Sequence, residues 1–153
     1  MSIHYDDTYY ELIKELRAAL LDERKTAVFY AQMRDLSTSY AGVDSFAVAR
    51  KDELDYAAAL TILLERLTGT IPEETLQPVF PTEIPSYCEG IKIAIQGESA
   101  AITKYKRILQ KAQSREIQDI IREIFYDEEV HLAKFRILYD IECKSGYYSE
   151  SVE

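Results

Sequence analysis

Apolar residues recur at alternating spacings of three and four in four separate segments of the chain. That spacing is typical of helices that bury one face, and it excludes the strict alternation of an exposed strand. The inward positions include Ile13, Leu16, Leu20 and Ala27, then Phe46, Ala49, Leu60 and Leu63, then Ile91, Ala94 and Ile108, and finally Ile117, Ile121, Ile124, Phe135 and Leu138. The pattern predicts one all-α domain with helices over about 8–38, 45–68, 86–112 and 114–143.

Capping residues and breakers set the expected ends of these helices. The expected N-terminal signals are Asp7 or Thr8, Asp44 or Ser45 behind a break at Ala41-Gly42, Ser86 behind Pro85, and Gln113-Ser114. Gly69 is expected to stop the second helix, and Lys144-Ser145-Gly146 the fourth.

The segment 69–85 carries all four prolines of the chain and cannot be one helix. Seventeen residues span roughly 56 Å when extended, whereas a 25-residue helix is about 37 Å long. The linker can therefore run the length of the bundle. This predicts two helical hairpins joined by a long crossover, with the second and third helices parallel, which is the ferritin-like connectivity.

A pattern of polar residues on these seams occurs twice, with a constant shift of 75 residues. The first copy is Glu23, Tyr30 and Asp52-Glu53-x-x-Tyr56, and the second is Glu98, Tyr105 and Asp127-Glu128-x-x-His131. Two residues three apart share one face of a helix. Facing helices would thus bring four glutamates and their partner ligands to one level of the bundle.

Four carboxylates in an apolar interior are costly unless cations neutralise them, so the repeat predicts a dinuclear metal site. Carboxylate and imidazole ligands suit iron or manganese, and zinc remains possible. The plain alternative is that each glutamate lies near a bundle end and reaches solvent. All four lie near the middle of their helices, which favours the metal site.

From about Tyr9 to Ile141 the chain resembles the ferritin-like superfamily, and within it the rubrerythrin-type erythrin domains. The resemblance implies two iron ions held by Glu23, Glu53, Glu98, Glu128 and His131, with Tyr56 in the position of a sixth ligand. It also implies that Asp52 and Asp127 orient ligands across the bundle and that Tyr30 and Tyr105 hydrogen-bond to them. Plain core tyrosines are an equal alternative for the last two.

Three departures from that family limit what is carried over. Tyr56 stands where the family has a histidine; it could ligate as phenolate, donate a hydrogen bond or mark a decaying site, and we expect a hydrogen bond or weak ligation. Ala101 stands where classical rubrerythrins have an extra glutamate. No CxxC pairs follow the bundle, so turnover would need an external electron donor.

The composition of the chain limits the kinds of binding partner and the cellular location that we expect. A formal charge of −9 argues against nucleic acid. Without a long apolar run or a signal-like start, we expect no membrane span and a cytoplasmic location. Cys88 and Cys143 match no metal or redox motif and are expected to be isolated thiols. We expect an exposed His4 and a homo-oligomer, most simply a dimer. The terminal tyrosines Tyr5, Tyr9, Tyr10, Tyr147 and Tyr148 could serve self-association, and loose tails with no role are an equal alternative.

Three functions remain open on this evidence. The first is an iron-binding redox protein that oxidises Fe(II) with dioxygen or reduces hydrogen peroxide. The second is a non-catalytic ferritin-like protein with a structural or assembly role, for which the resemblance suggests a spore context. The third is iron binding or storage alone.

Overall fold

The computed structural model describes the backbone of residues 2–144 and the side chains of residues 8–144. Within that range the chain forms four long helices: α1 (Ser2–Leu36), α2 (Tyr40–Thr68), α3 (Tyr87–Lys111) and α4 (Arg115–Tyr139). A short 3-10 helix (Glu73–Thr75) lies in the linker, and a π-helical turn (Asp140–Lys144) follows α4. The predicted all-α four-helix bundle is confirmed. The side chains of His4, Tyr5, Tyr147 and Tyr148 lie outside the described residues, whereas Tyr9 and Tyr10 are exposed.

The starts of α3 and α4 and the end of α2 agree with the predicted caps, whereas the starts of α1 and α2 do not. The α-helical part of the fourth helix ends at Tyr139, and Ser145-Gly146 of its predicted stop lie outside the described residues. Ser86 and Ser114 cap α3 and α4, and Gly69 closes α2 in the left-handed region at φ 79°. The prediction of Asp44 or Ser45 as the cap of α2 was wrong, because Ser39 accepts a hydrogen bond from the backbone N–H of Gly42 and α2 begins at Tyr40. Gly42 is not a break: a Cβ there would lie 2.4 Å from the Tyr87 hydroxyl, so the glycine allows close helix packing. Likewise Asp7 or Thr8 does not start α1, which already begins at Ser2.

The linker runs along α1 and fixes the direction of α3. Near the middle of α1, Arg17 pairs with Glu74 at 3.0 Å, and near its C-terminal end the Gln32 amide donates to the Thr82 carbonyl at 2.6 Å. The linker therefore travels in the same direction as α1, from the end of α2 to the start of α3. As predicted, α2 and α3 are parallel. In cross-section the neighbours form a square, in which α1 and α4 each pack against α2 and α3.

One end of the bundle is tied together by a disulfide and a buried acid. Cys88, at the start of α3, is bonded to Cys143, after α4, with a Cα–Cα distance of 5.8 Å. The expectation of two isolated thiols was wrong, because the antiparallel α3–α4 hairpin brings these distant positions together. Beside the disulfide, the buried Glu142 accepts hydrogen bonds from Tyr87 at 2.5 Å and from Ser39.

The bundle interior holds two apolar clusters with a polar layer between them. One cluster, toward the start of α1, includes Leu16, Leu60 and Ile121, and the other includes Tyr30, Phe46 and Phe135. The rings of Phe46 and Phe135 stack with centroids 4.9 Å apart. Within residues 2–144, no helix combines the length and the apolar character needed to cross a membrane.

Candidate metal centre

The middle layer of the bundle collects the glutamates that the repeat singled out. Each of the four helices contributes one of them: Glu23 from α1, Glu53 from α2, Glu98 from α3 and Glu128 from α4. All four are at most 3% exposed, and His131, one turn beyond Glu128, is also 3% exposed. The alternative in which they reach solvent near the bundle ends does not hold.

The ligand-type atoms converge on one point. One oxygen each from Glu53, Glu98 and Glu128 and one nitrogen of His131 all lie within 4.8 Å of one another. The His131 Nδ1 atom lies 3.2 Å from a Glu53 oxygen, 3.3 Å from a Glu128 oxygen and 3.7 Å from a Glu98 oxygen. Glu23 joins this group through its neighbour Glu53: burial raises the pKa of Glu53, and the side-chain contact with Glu23 raises it further.

Many of these converging atoms lack a hydrogen-bond partner within the described residues. They are Glu23 Oε2, both oxygens of Glu53, Glu98 Oε2, Glu128 Oε1 and His131 Nδ1. Buried polar atoms in native proteins nearly always have a partner, and leaving one unmet costs about 1–3 kcal/mol. Six such atoms pointing into one space fit the donor set of a carboxylate-bound metal site.

Asp52 fixes the orientation of His131. The Asp52 Oδ2 atom lies 2.7 Å from His131 Nε2, on the far side of the ring from the glutamates. A proton on Nε2 is held by this carboxylate, so Nδ1 is the nitrogen that faces the cluster and would be offered to a metal. The contact joins α2 to α4, so it closes that side of the square.

The two predicted tyrosines exchange hydrogen bonds between the halves of the repeat. Tyr30 of α1 donates to Glu98 of α3, and Tyr105 of α3 donates to Glu23 of α1 at 2.7 Å. Burial and the adjacent glutamates raise the pKa of both hydroxyls well above the ordinary value, so both remain protonated donors. These contacts favour the interpretation that the two tyrosines position glutamate side chains over the alternative that they are plain core aromatics.

Without metal, the cluster can persist only by holding protons. Burial raises the pKa of Glu23 and Glu53, and the neighbouring glutamates raise that of Glu53 further. Burial raises the pKa of Glu128 to about 8, although His131 opposes the rise. Burial lowers the pKa of His131, but the carboxylates of Glu128, Glu98 and Asp52 outweigh it and raise that pKa to about 11. A divalent cation would displace these protons.

The two copies of the repeat are not equivalent in the structure. Tyr56 occupies the position that corresponds to His131; it is 7% exposed and packs in the apolar cluster that contains Leu60. Its role as a ligand remains a prediction. Asp127, the counterpart of Asp52, is partly buried, and burial and the nearby Asp52 raise its pKa.

A channel that sequence reasoning missed reaches the cluster between α1 and α3. This cavity of about 240 Å³ has Glu23, Glu98, Glu128 and Tyr105 at its inner end. Its walls carry the small residues Ala19, Gly97, Ala100 and Ala101. At the mouth, Lys104 of α3 forms an ion pair with Asp22 of α1. The one indication in the sequence was Ala101. It stands where a glutamate was expected, and its small side chain leaves space in this wall.

Comparison with known proteins agrees with this geometry. A family model described as Rubrerythrin matches residues 51–139, which is more than half of the chain. No curated protein matches the sequence.

Several solved structures share the fold at low sequence identity. A protein from Xanthomonas campestris pv. campestris (XCC3681) superposes with a TM-score of 0.80 at 18% identity, covering 95% of this chain and 99% of its own. A conserved hypothetical protein, rv2844, from Mycobacterium tuberculosis gives 0.74 at 16% identity, with coverages of 86% and 93%. A protein from Bacillus anthracis str. Ames, described as ferritin like and diiron-carboxylate, gives 0.72 at 20% identity, with coverages of 86% and 97%.

Proposed function

Since the chain belongs to the rubrerythrin family, we propose that it binds two iron ions in the middle layer of its bundle and uses them in redox chemistry with dioxygen or hydrogen peroxide. The observation that carries this proposal is the convergence of six unpartnered buried ligand atoms from four helices. A family member with a purely structural role would not need buried acids at this cost.

The ligands are assigned from the contacts. Glu53, Glu98, Glu128 and His131 Nδ1 form the converging group, and Glu23 adds a fifth side chain from the remaining helix. Oxygen and imidazole donors of this kind fit iron, and they also accept manganese or zinc. Four carboxylates balance the charge of two divalent cations, so the loaded layer would carry no uncompensated charge.

The other residues prepare the ligands and exclude water. Asp52 holds the proton on His131 Nε2 and so presents Nδ1 to the centre. Tyr30 and Tyr105 each hold one carboxylate oxygen and leave the other free. The apolar clusters above and below the layer shield it from water along the bundle axis, which strengthens electrostatic interactions there.

A bound iron pair supplies two electrons to an oxidant. The chain's contribution to that step is access, because the cavity between α1 and α3 is lined by Glu23 and Glu98 and its volume has room for dioxygen or hydrogen peroxide. A bulky organic substrate does not fit a cavity of about 240 Å³. An external donor must then return the electrons.

The test uses the full chain, freed of metal and titrated anaerobically with Fe(II). We expect about two irons per chain, followed by consumption of dioxygen or hydrogen peroxide when either is added. The variant Glu98→Gln should bind less iron, whereas Glu89→Gln, an exposed glutamate on the same helix paired with Lys92, should behave as the wild type.

Two negative results would have different meanings. Two irons bound with no oxidant consumed would exclude the redox function and leave iron binding alone. A chain that binds no metal and is equally stable in chelator would exclude the metal centre itself, and would favour the structural role.

A further inference from the structure

The outer surface of α4 carries an apolar stripe that the metal site does not use. Tyr126, Val130, Ala133 and Ile137 follow one another at spacings of four, three and four, which places them on one face of the helix. Tyr126 is 57%, Val130 49% and Ile137 58% exposed. This face points away from the core positions Glu128, His131 and Phe135, so neither packing inside the bundle nor metal binding requires it to be apolar.

The internal repeat provides a control for this feature. At the positions 75 residues earlier, the outer face of α2 has Lys51, Asp55, Ala58 and Ile62. There Lys51 and Asp55 form an ion pair at 3.0 Å, an ordinary solvated helix surface. Two equivalent helices in the same bundle thus differ at the same two positions, and only α4 replaces the charges with a tyrosine and a valine.

The charges beside the stripe are arranged by sign along the helix. Glu129 flanks its N-terminal half, and Lys134 and Arg136 flank its C-terminal half, all three exposed. Among the ion pairs of residues 8–144, none involves these three side chains, whereas the neighbouring Arg122 pairs with Asp119. A second α4 running in the opposite direction would set each acidic half against a basic half.

We propose that the α4 stripe is the contact surface for a second copy of this chain, with the two α4 helices packed antiparallel about a twofold axis. A twofold contact brings the same patch of both copies together, so it needs a self-complementary surface. Antiparallel packing provides this: Tyr126 lies opposite Ile137 of the second copy, Val130 lies opposite the small Ala133, and Glu129 faces Arg136. Parallel packing in register would instead place Glu129 at the level of Glu129.

This contact leaves the metal centre working in each copy. The channel enters between α1 and α3, and α4 does not line its mouth. The inference therefore stands independently of the redox function, and a failure of either leaves the other intact.

Sedimentation velocity of the full chain over a dilution series tests the contact. We expect a dimer that dissociates on dilution. Ile137→Glu should raise the dimer dissociation constant on the order of a hundredfold, because an unpaired charge would be buried against Tyr126 of the second copy. The matched control is Ile62→Glu, at the equivalent and similarly exposed position of α2 (54%), which should leave the constant unchanged. Circular dichroism should show both variants equally helical.

The antiparallel direction has its own test. Arg136→Glu should weaken the dimer, and adding Glu129→Arg to the same chain should restore it, because the exchanged charges face each other again. A wild-type chain that is monomeric at every concentration overturns the proposal, as does equal weakening by Ile137→Glu and Ile62→Glu. Failure of the double variant to recover overturns the antiparallel arrangement.

Discussion

Replacing Asp52 by asparagine should weaken metal binding about tenfold, through a residue that does not itself belong to the converging ligand group. Asp52 lies 2.7 Å from His131 Nε2, and its side chain is 30% exposed. Asparagine has nearly the same shape, and its carbonyl oxygen can still accept the Nε2–H hydrogen. What the substitution removes is the negative charge behind the imidazole.

The size of the effect follows from that geometry. A hydrogen bond to a charged group contributes about 1.5–3 kcal/mol, and a neutral one about 1 kcal/mol. The difference is about 0.5–2 kcal/mol. The partial exposure of Asp52 keeps the loss below the upper end of that range, at about 1–1.5 kcal/mol. Since about 1.4 kcal/mol corresponds to a factor of ten in a binding constant, roughly tenfold weaker binding is expected.

The assay is anaerobic titration with Fe(II) or Mn(II) against a chelating indicator at fixed pH. The matched control is Asp127→Asn. Asp127 is the equivalent of Asp52 in the second copy of the repeat, and the equivalent of His131 in the first copy is Tyr56, so Asp127 has no corresponding histidine to orient. That control should change the affinity by less than about threefold. Equal losses in the two variants, or no loss in Asp52→Asn, would refute the idea that Asp52 acts by orienting and polarising His131.

Four further outcomes follow from the site and its surroundings. The pKa of Glu128 is raised to about 8 from its ordinary 4.5. Between these values the folded metal-free protein binds more protons than the unfolded chain, so it should lose stability as pH rises, whereas the metal-loaded protein should not. Thermal unfolding across that pH range measures both. Tyr56→Phe should leave the iron content unchanged, and a phenolate absorption band that disappears in this variant would instead make Tyr56 a ligand. Gly97→Leu should slow oxidant consumption without altering iron content or folding, because a Cβ at Gly97 meets nothing within 4 Å and the side chain would fill the channel mouth. Reducing the Cys88–Cys143 bond, which closes a loop of 55 residues, should lower stability by up to about 4 kcal/mol; an unchanged melting temperature would contradict that.

The sequence predicted the fold and the positions of the glutamates because both depend on one periodicity. A residue on the inward seam of a helix must face the core, so Glu23, Glu53, Glu98 and Glu128 had to meet once the four helices formed a bundle. The 75-residue repeat set their common level. Confirmation of the all-α bundle therefore also accounts for the placement of these side chains.

Contacts between residues that are distant in the sequence and belong to no repeating pattern could not be predicted. Cys88 and Cys143 come together only because the π-helical turn after α4 ends beside the start of α3. The start of α2 was misplaced because Gly42 looks like a breaker, although its function is close contact with Tyr87. The Lys104–Asp22 pair joins residues 82 positions apart on exposed faces, where no pattern constrains a partner.

The exchanged hydrogen bonds of Tyr30 and Tyr105 have a consequence for selectivity. Both cross from α1 to α3, and the Lys104–Asp22 pair crosses the same interface at its surface. The two walls of the channel are thus joined at several points, and separating them would pull Glu23 and Glu98 out of place. We therefore expect the channel to keep its shape when a small molecule enters it. Under the proposed function, larger organic peroxides should react more slowly than hydrogen peroxide without any moving gate.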